Sequence, residues 1–566
     1  MKKIIILLTC LILLQGFQNG VISIHNNQKY QNNMIFSIDE TVENLISNFD
    51  LEVITNGFGL TIEIRNDGAV DLLDILIEIS YTGGYSIHLS ETRFEIPFIL
   101  AGQSIEFHVQ SSGFGLGVLS DLPRIIVHGS APHVHPVEKG IIAKIIGPII
   151  ITIDEFYDDP RSFDGYTLFT PEWYTNTYLI NNDGEVVHSW SESNLLNGLG
   201  SFLLENGHMI RSALPWPNPT FLAGGILGRV EEFDWNGSRV WYFDYTNQDH
   251  CHHHGVEVLP NGNILMIAWE YKTRQEATQA GRNPDFLHGN ELYPDHIIEV
   301  EPIYPNGGNI VWEWHVWDHL IQDFDPSKDN FGNVEEHPEL IDINFGHPDA
   351  DWNHINSVDY NEDLDQIMVS VKHLSELWVI DHSTSTEEAA GHTGGRYGKG
   401  GDLLYRWGNP HAYRQGGPED QKLFNQHDPQ WIKQGLPGEG NILIFNNGNG
   451  RPGGEYSSIE EIVPPVDELG FYHKHSFEAY GPKEALWTYT KENPFDFFSY
   501  HISGCQRLPN GNTLICEGAN GLFFEVTLEK EIVWEYLNQF PSQFNNKVFK
   551  IHRYPPDYPG LKFLFE

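Results

Sequence analysis

Val311-Trp312-Glu313-Trp314 is one of six passages in which an apolar residue and an aromatic are followed, one or two places on, by a second aromatic. The others are Val187-His188-Ser189-Trp190 (a degenerate copy), Val240-Trp241-Tyr242-Phe243, Leu404-Tyr405-Arg406-Trp407, Leu486-Trp487-Thr488-Tyr489 and Val533-Trp534-Glu535-Tyr536. Each follows a short strand-like run, such as Ile297-Ile298-Glu299-Val300 or Phe524-Glu525-Val526. Five units have a hairpin turn farther upstream, such as Pro260-Asn261-Gly262-Asn263 or Pro509-Asn510-Gly511-Asn512. The first unit lacks its opening strand, and Val548 to Tyr554 is placed to supply it. Such a repeat cannot bury its apolar face alone and must stack on its neighbours. Six four-stranded units sharing an N- and C-terminal strand predict a six-bladed β-propeller over residues 155–566.

Ahead of the repeats, alternating runs such as Leu60-Thr61-Ile62-Glu63-Ile64 and Ile105-Glu106-Phe107-His108-Val109 read as strands of a half-buried sheet. Asn66-Asp67-Gly68 and Thr82-Gly83-Gly84 supply turns. About seven strands in roughly 100 residues predict an immunoglobulin-like β-sandwich over 49–150. The fold class is therefore all-β. Residues 21–48 are polar and Asn-rich, a linker. Residues 1–20 have a basic start, Met1-Lys2-Lys3, and an apolar run too short to span a membrane, which is the pattern of a signal peptide. Cys10 faintly suggests a lipoprotein site. The expected location is secreted or extracytoplasmic, with attachment to the cell surface as an option.

Composition narrows the partners. Lys and Arg number 33 against 78 Asp and Glu, a net charge of −45, which repels phosphate backbones and anionic lipid. No nucleic-acid partner is expected, and no stable membrane span beyond the signal segment. Four cysteines in 566 residues form no disulfide framework and no CxxC zinc pair. Cys505 and Cys516 flank one predicted hairpin, either bridged or as two buried thiols. The acidic stretch Asp318 to Asp351 hints at a calcium loop in Asp323-Phe324-Asp325-Pro326-Ser327. Lys328 takes the place of the required Gly and Val334 that of the bidentate Glu, so it reads as a solvated loop.

A histidine stands at the start of the predicted innermost strand in four of the six units: His254, His354, His427 and His501. A lone histidine there usually satisfies backbone groups. Four in register point imidazoles at one axial pocket. Neutral imidazoles can hold a metal, or one can act as a nucleophile while others bind an anion or move protons. Asp428, the nearest acid, is expected to point away from the axis. Lys372, on the second strand of the unit that His354 opens, offers a cation for an anion-handling site. Of the run Asp249 to His254, only one or two residues can face the channel, because a strand alternates.

At these residues the chain resembles the arylsulfotransferase family of exported six-bladed propeller enzymes. The resemblance rests on His253-His254, on Asp351-Trp352-Asn353-His354-Ile355-Asn356-Ser357-Val358-Asp359-Tyr360, and on Ser370-Val371-Lys372-His373. It continues in Gln426-His427, Ile444-Phe445-Asn446-Asn447-Gly448 and Gln506-Arg507-Leu508-Pro509-Asn510-Gly511-Asn512-Thr513. It implies sulfuryl transfer from an aryl sulfate donor to a phenolic acceptor, without a nucleotide sulfate, cofactor or metal. His427 would be the nucleophile, passing through a sulfohistidine in a ping-pong route. His254 and His354 would be acid/base and sulfate-binding partners. Asn356 would bind substrate, with Ser503 and His501 as weaker candidates beside it. Lys372 falls where the family carries Arg, which keeps the charge and loses the planar fork that grips two oxygens. Two other readings stand beside this one: a His-metal hydrolase or lyase, and a non-catalytic propeller that binds a ligand or partner.

Overall fold

The computed structural model describes residues 23–25 and 49–565, apart from 55–58, 67–69, 83–84, 116–123, 133–136, 147–148, 192 and 543–544. The signal-like run, Cys10, nearly all of the 21–48 linker and the centres of both early turns lie outside the described residues. The chain divides into two compact units, Met1–Ser162 and Phe163–Glu566. Both are built on β-strands, so the fold is all-β. No described helix is long and apolar enough to cross a membrane.

In the first unit, one sheet pairs Phe49–Ile54, Leu60–Asn66 and Ser104–Val109. A second pairs Arg93–Ile99, Leu72–Thr82, Arg124–Ser130, Val137–Ile146 and Ile149–Asp158 in that order. Leu60, Ile62 and Ile64 alternate with half-buried polar neighbours and join Ile75, Ile77 and Val127 in one core. The strands run on to Asp158, past the boundary at 150 that the sequence pattern suggests.

The second unit contains six four-stranded antiparallel sheets. Each fourth strand carries one of the aromatic passages. The first sheet takes Val548–Tyr554 as its innermost strand, paired to Tyr166–Pro171. The other innermost strands are Leu196–Leu203, His250–Val258, Ile355–Asn361, His427–Trp431 and Gly504–Arg507, in chain order. Each touches the next, and Gly504–Arg507 touches Val548–Tyr554, so the circuit closes around an axis.

The repeated aromatics have a common task. In each sheet an outer-strand indole donates a hydrogen bond to the sheet that follows: Trp190 to the Asp234 carbonyl, Trp241 to Gly307, Trp312 to the Thr384 hydroxyl, Trp407 to Pro482 and Trp487 to Leu528. Trp534 closes the series on the Asn182 carbonyl of the first sheet at 2.7 Å. A buried indole that finds a partner contributes its large apolar area without an orphaned N–H.

A glutamate on the third strand makes a second tie in four sheets. Oε1 accepts from the sheet's own hairpin turn and Oε2 from the next sheet. Glu232 takes His208 and Tyr304, both at 2.6 Å; Glu299 takes Asn263 at 2.5 Å and His382 at 3.0 Å. Glu461 takes Asn441 and Arg507, both at 2.6 Å; Glu525 takes Asn512 at 2.7 Å and Arg553 at 2.6 Å. The last Asn of the Pro-Asn-Gly-Asn turns is therefore a donor to a buried carboxylate as well as a turn former.

One open alternative closes and one expectation changes. Cys505 and Cys516 are free thiols. Cys516 lies opposite Gly504 and Cys505 opposite Ile515, so a one-residue offset sends the sulfurs to opposite faces of the sheet. The Asp318 to Asp351 stretch is pinned, since Arg414 pairs with both Asp323 and Asp342, and Asp325 Oδ1 caps Ser327.

Glu525 and Arg553 are both fully buried and join the sixth sheet to the first. Glu525→Ala leaves the guanidinium buried without its counter-ion, a change that costs about 3–5 kcal/mol. Chemical unfolding followed by tryptophan fluorescence is expected to register that loss; a change below about 1 kcal/mol contradicts the clasp.

Candidate functional site

The innermost strands share a bulge at one level of the axis. Register shifts fall between Asn197 and Ser201, His252 and Val256, Ile355 and Ser357, and His427 and Gln430. Left-handed residues mark the same level: Gly200 (φ +97°), His254 (+56°), His354 (+55°), Asp428 (+52°) and Ile502 (+53°). Such a conformation costs a non-glycine residue of order 1–3 kcal/mol and breaks strict alternation, which re-aims the side chains. The histidines thus stand at the bulge rather than uniformly at a strand start; His254 lies well inside its strand.

The geometry brings His254, His354, Lys372 and His427 within electrostatic reach of one another, and His501 within reach of His427 and Lys372. The rings of His254 and His354 meet edge to face at 4.7 Å, and Phe549 stands 6.0 Å from His254 and 5.8 Å from His427. Gly225 (φ +83°) closes over His254. A Cβ there would lie 2.1 Å from His254 Cε1, so only glycine fits.

Each of three imidazoles is held through Nδ1. His427 Nδ1 lies 2.7 Å from Asn447 Oδ1. The Asn447 amide donates from Nδ2 to the Ser499 and Ile502 carbonyls, both at 2.8 Å. Two acceptors on Nδ2 fix which end is oxygen, so Oδ1 accepts and His427 Nδ1 carries the hydrogen. The lone pair of His427 is thereby assigned to Nε2. His354 Nδ1 lies 2.5 Å from Asp351 Oδ2, while Asp351 Oδ1 accepts from Trp269 at 3.1 Å. His254 Nδ1 lies 2.7 Å from His253 Nδ1, and His253 Nε2 lies 2.8 Å from Asp295.

Lys372 sits in the turn just past the second strand of the fourth sheet, not on the strand itself. Its Nζ lies 3.4 Å from His373 Nε2. His373 donates from Nδ1 to the Asp351 carbonyl at 2.8 Å, which leaves Nε2 to accept. Asp351 therefore organises two imidazoles, one through its carboxylate and one through its backbone.

Burial dominates the electrostatics. It pushes His427 down to about 3, helped by the Lys372 ammonium and opposed by Asn447. Burial and then Lys372 hold His354 well below its ordinary value, and burial with the neighbouring imidazoles does the same to His254. Asp351 is pushed up by burial, against His373, His253 and Lys372. In the two-proton state of the Asp351–His354 pair, the hydrogen not shared between them sits on His354 Nε2. The pocket thus presents an unprotonated nitrogen on His427, an acid/base pair at His354, and one ammonium. That set suits attack on an anionic centre with proton delivery to a leaving group.

The remaining candidates fare differently. Asn356 is fully buried, donates to the Gln426 carbonyl at 2.9 Å and has an Oδ1 without a partner. Ser503 is spent internally, donating to Ser499 at 2.8 Å and accepting from the Gly518 amide at 2.9 Å. His501 is half-buried, stacks on Tyr500 at 4.0 Å and keeps an unpartnered Nδ1. Of the 249–254 run, only His254 takes part in the imidazole cluster directly, while His252 bonds Ser212 and Ile267. Asp428 does not point away from the axis. Its left-handed backbone breaks the alternation, and it pairs with Lys550 at 3.1 Å. It lines an axial cavity of roughly 850 Å³ with Glu257 and Asp359.

Sequence reasoning assigned no role to Asp351, Asn447 or the Asp295–His253 pair. Asn447 was within reach, because it follows the strand that pairs with His427 through Phe445. Asp295 comes from a third strand remote in sequence, and no local pattern marks it.

The sequence profile described as Arylsulfotransferase (ASST) matches residues 158–554. The arylsulfate sulfotransferase AssT of Escherichia coli is 22% identical over 394 residues, covering 62% of this chain and 58% of that protein. The protein of the same name from Lelliottia amnigena is 23% identical over 427 residues, covering 66% and 65%. The chain thus spans about three fifths of the length of these relatives. Among solved structures, a protein of unknown function from Bacteroides caccae is 11% identical with a TM-score of 0.39, covering 69% of this chain and 98% of that one.

His252, His253 and His427 are held near 3 and His373 near 4, in each case chiefly by burial. The unfolded chain binds these protons near 6.5 and the folded one does not, so stability is full above that value and falls as pH drops toward 3–4. Each such histidine contributes a slope of about 1.4 kcal/mol per pH unit. Unfolding free energy measured from pH 6.5 to 4.5 is expected to fall less steeply in His427→Gln by about one proton. An unchanged slope contradicts a neutral, buried His427.

Proposed function

The chain belongs to the arylsulfotransferase family, and from that premise we propose that it transfers a sulfuryl group from an aryl sulfate ester to a phenol. The Asn447 amide, locked by two carbonyls, is the observation that carries the reading, because it leaves His427 Nε2 as a lone-pair nitrogen within electrostatic reach of His354. The six sheets form a six-bladed propeller, and the first unit is an immunoglobulin-like module of an exported protein.

In the first half-reaction His427 Nε2 attacks sulfur, a nitrogen–sulfur bond forms and the aryl oxygen–sulfur bond breaks. The leaving oxygen takes the hydrogen from His354 Nε2, so a phenol departs. His354 then accepts the proton of the incoming phenol, whose oxygen attacks sulfur as the nitrogen–sulfur bond breaks. Lys372 and the Asn356 amide hold the sulfuryl oxygens, and Phe549 offers a ring beside both histidines. A lysine supplies one compact charge where a guanidinium would supply two parallel bonds, which weakens orientation more than charge balance.

A metal-dependent reading draws on Asp351, His354 and His373, whose ligand atoms lie within 4.8 Å of one another. The Lys372 ammonium 3.4 Å from His373 Nε2 opposes it, since a cation already faces one of the three ligands.

Purified protein with 4-nitrophenyl sulfate is expected to release nitrophenolate in proportion to added phenol, and His427→Ala is expected to abolish it. His354→Asn is expected to slow turnover about 10²–10⁴-fold with phenyl sulfate and less with 4-nitrophenyl sulfate, whose leaving group needs no proton. Equal losses with both donors, or loss of activity on chelation, would overturn the assignment.

A further inference from the structure

Outside the imidazole cluster, where the outer strand of the third sheet meets the fourth sheet, His319, His392 and Asp402 converge. His319 ends the turn Val316–His319 that follows the third sheet's outer strand, and His392 and Asp402 lie between the third and fourth strands of the fourth sheet. His319 is fully buried and stacks in parallel on Trp314 at 5.6 Å. Its Nε2 lies 2.9 Å from the Ala389 carbonyl. A carbonyl only accepts, so Nε2 carries the hydrogen and Nδ1 of the neutral ring carries a lone pair. That lone pair faces Asp402 Oδ1 at 2.9 Å. His392 Nδ1 faces the same oxygen at 2.8 Å.

Two ring nitrogens and a carboxylate oxygen within 4.8 Å of one another thus meet with one lone pair set against another. Either a second proton on His319 or a shared cation removes the conflict. We propose that His319, His392 and Asp402 form a site for a divalent transition-metal ion of the zinc class, tying the third sheet to the fourth. Two imidazoles and a carboxylate are the ligand types such an ion takes, and a ligating histidine that donates its other N–H to a backbone carbonyl is held in the required tautomer. Gly401 leaves room for that arrangement; a Cβ there would lie 2.7 Å from His319 Nε2 and 2.0 Å from the Ala389 oxygen.

Tetrahedral bonds of about 2.0–2.1 Å separate ligand atoms by roughly 3.3 Å, so the set must open by about half an ångström. His392 supplies that freedom, being 60% exposed on its side-chain surface. It also borders a cavity of roughly 440 Å³ lined by Asp318, Asp329 and His337. No lysine or arginine makes an ion pair with Asp402 among the described residues, in contrast to the ammonium that faces His373.

The test is equilibrium dialysis of chelator-treated full-length protein against Zn²⁺, with Co²⁺ absorption as a second readout. One equivalent of zinc is expected to bind, and equally in His354→Asn, which dismantles the other cluster. The dissociation constant is expected to rise at least tenfold in Asp402→Asn, and in His392→Ala at an unchanged metal-free melting temperature. His392 is a surface side chain, so its removal leaves the fold intact. Absence of stoichiometric zinc, undiminished binding in both variants, or loss of binding in His354→Asn would overturn the site.

Discussion

Each sheet of the second unit passes one indole hydrogen bond to the sheet that follows, and the ring closes when Trp534 reaches Asn182. The third-strand glutamates double that tie in four sheets, with one oxygen on the local hairpin and the other on a neighbour. The four glutamates are buried, so the geometry of their contacts is enforced by the cost of leaving a carboxylate unpaired rather than by the strength of any one bond. The consequence at the axis is positional. Innermost strands held at a common level can carry their bulges, and hence their histidines, to a common point.

That point is electrostatically unusual because it gathers bases and withholds protons. Burial keeps the imidazoles neutral, and Lys372 adds a positive charge that discourages further protonation. An arriving anion reverses the balance by neutralising the ammonium and favouring the two-proton form of the Asp351–His354 pair. On the proposed mechanism, nucleophile and acid are then available together at neutral pH, which is the usual difficulty for a site built from like groups. The axial cavity that Asp428 lines has the contrary character. Burial pushes the Glu257 and Asp359 carboxyls up from their ordinary values, around the Lys550–Asp428 pair.

Much of the architecture was legible because its determinants recur. The paired-aromatic passages and Pro-Asn-Gly-Asn turns each mark one strand or hairpin, and Val548–Tyr554 takes the place left for it beside Tyr166–Pro171. The histidine register was legible for the same reason. What was not legible depends on backbone conformation and on pairing across sheets. Strict alternation sends Asp428 outward, yet its left-handed φ turns it to the axial cavity. The same alternation hides the offset that separates Cys505 from Cys516. Asn447 and Asp351 have no chemistry of their own to advertise; they matter through the nitrogen each one holds, and that is a property of register.

The central claim is that His427 Nε2 takes the sulfuryl group. Mixing the protein with 4-nitrophenyl sulfate without acceptor, quenching under alkaline conditions and mapping the modified peptide by mass spectrometry tests it directly. One SO₃ on His427, formed as fast as the first equivalent of nitrophenolate and discharged by added phenol, is the predicted result. Turnover with phenol but no label, or a label on another residue, would contradict it.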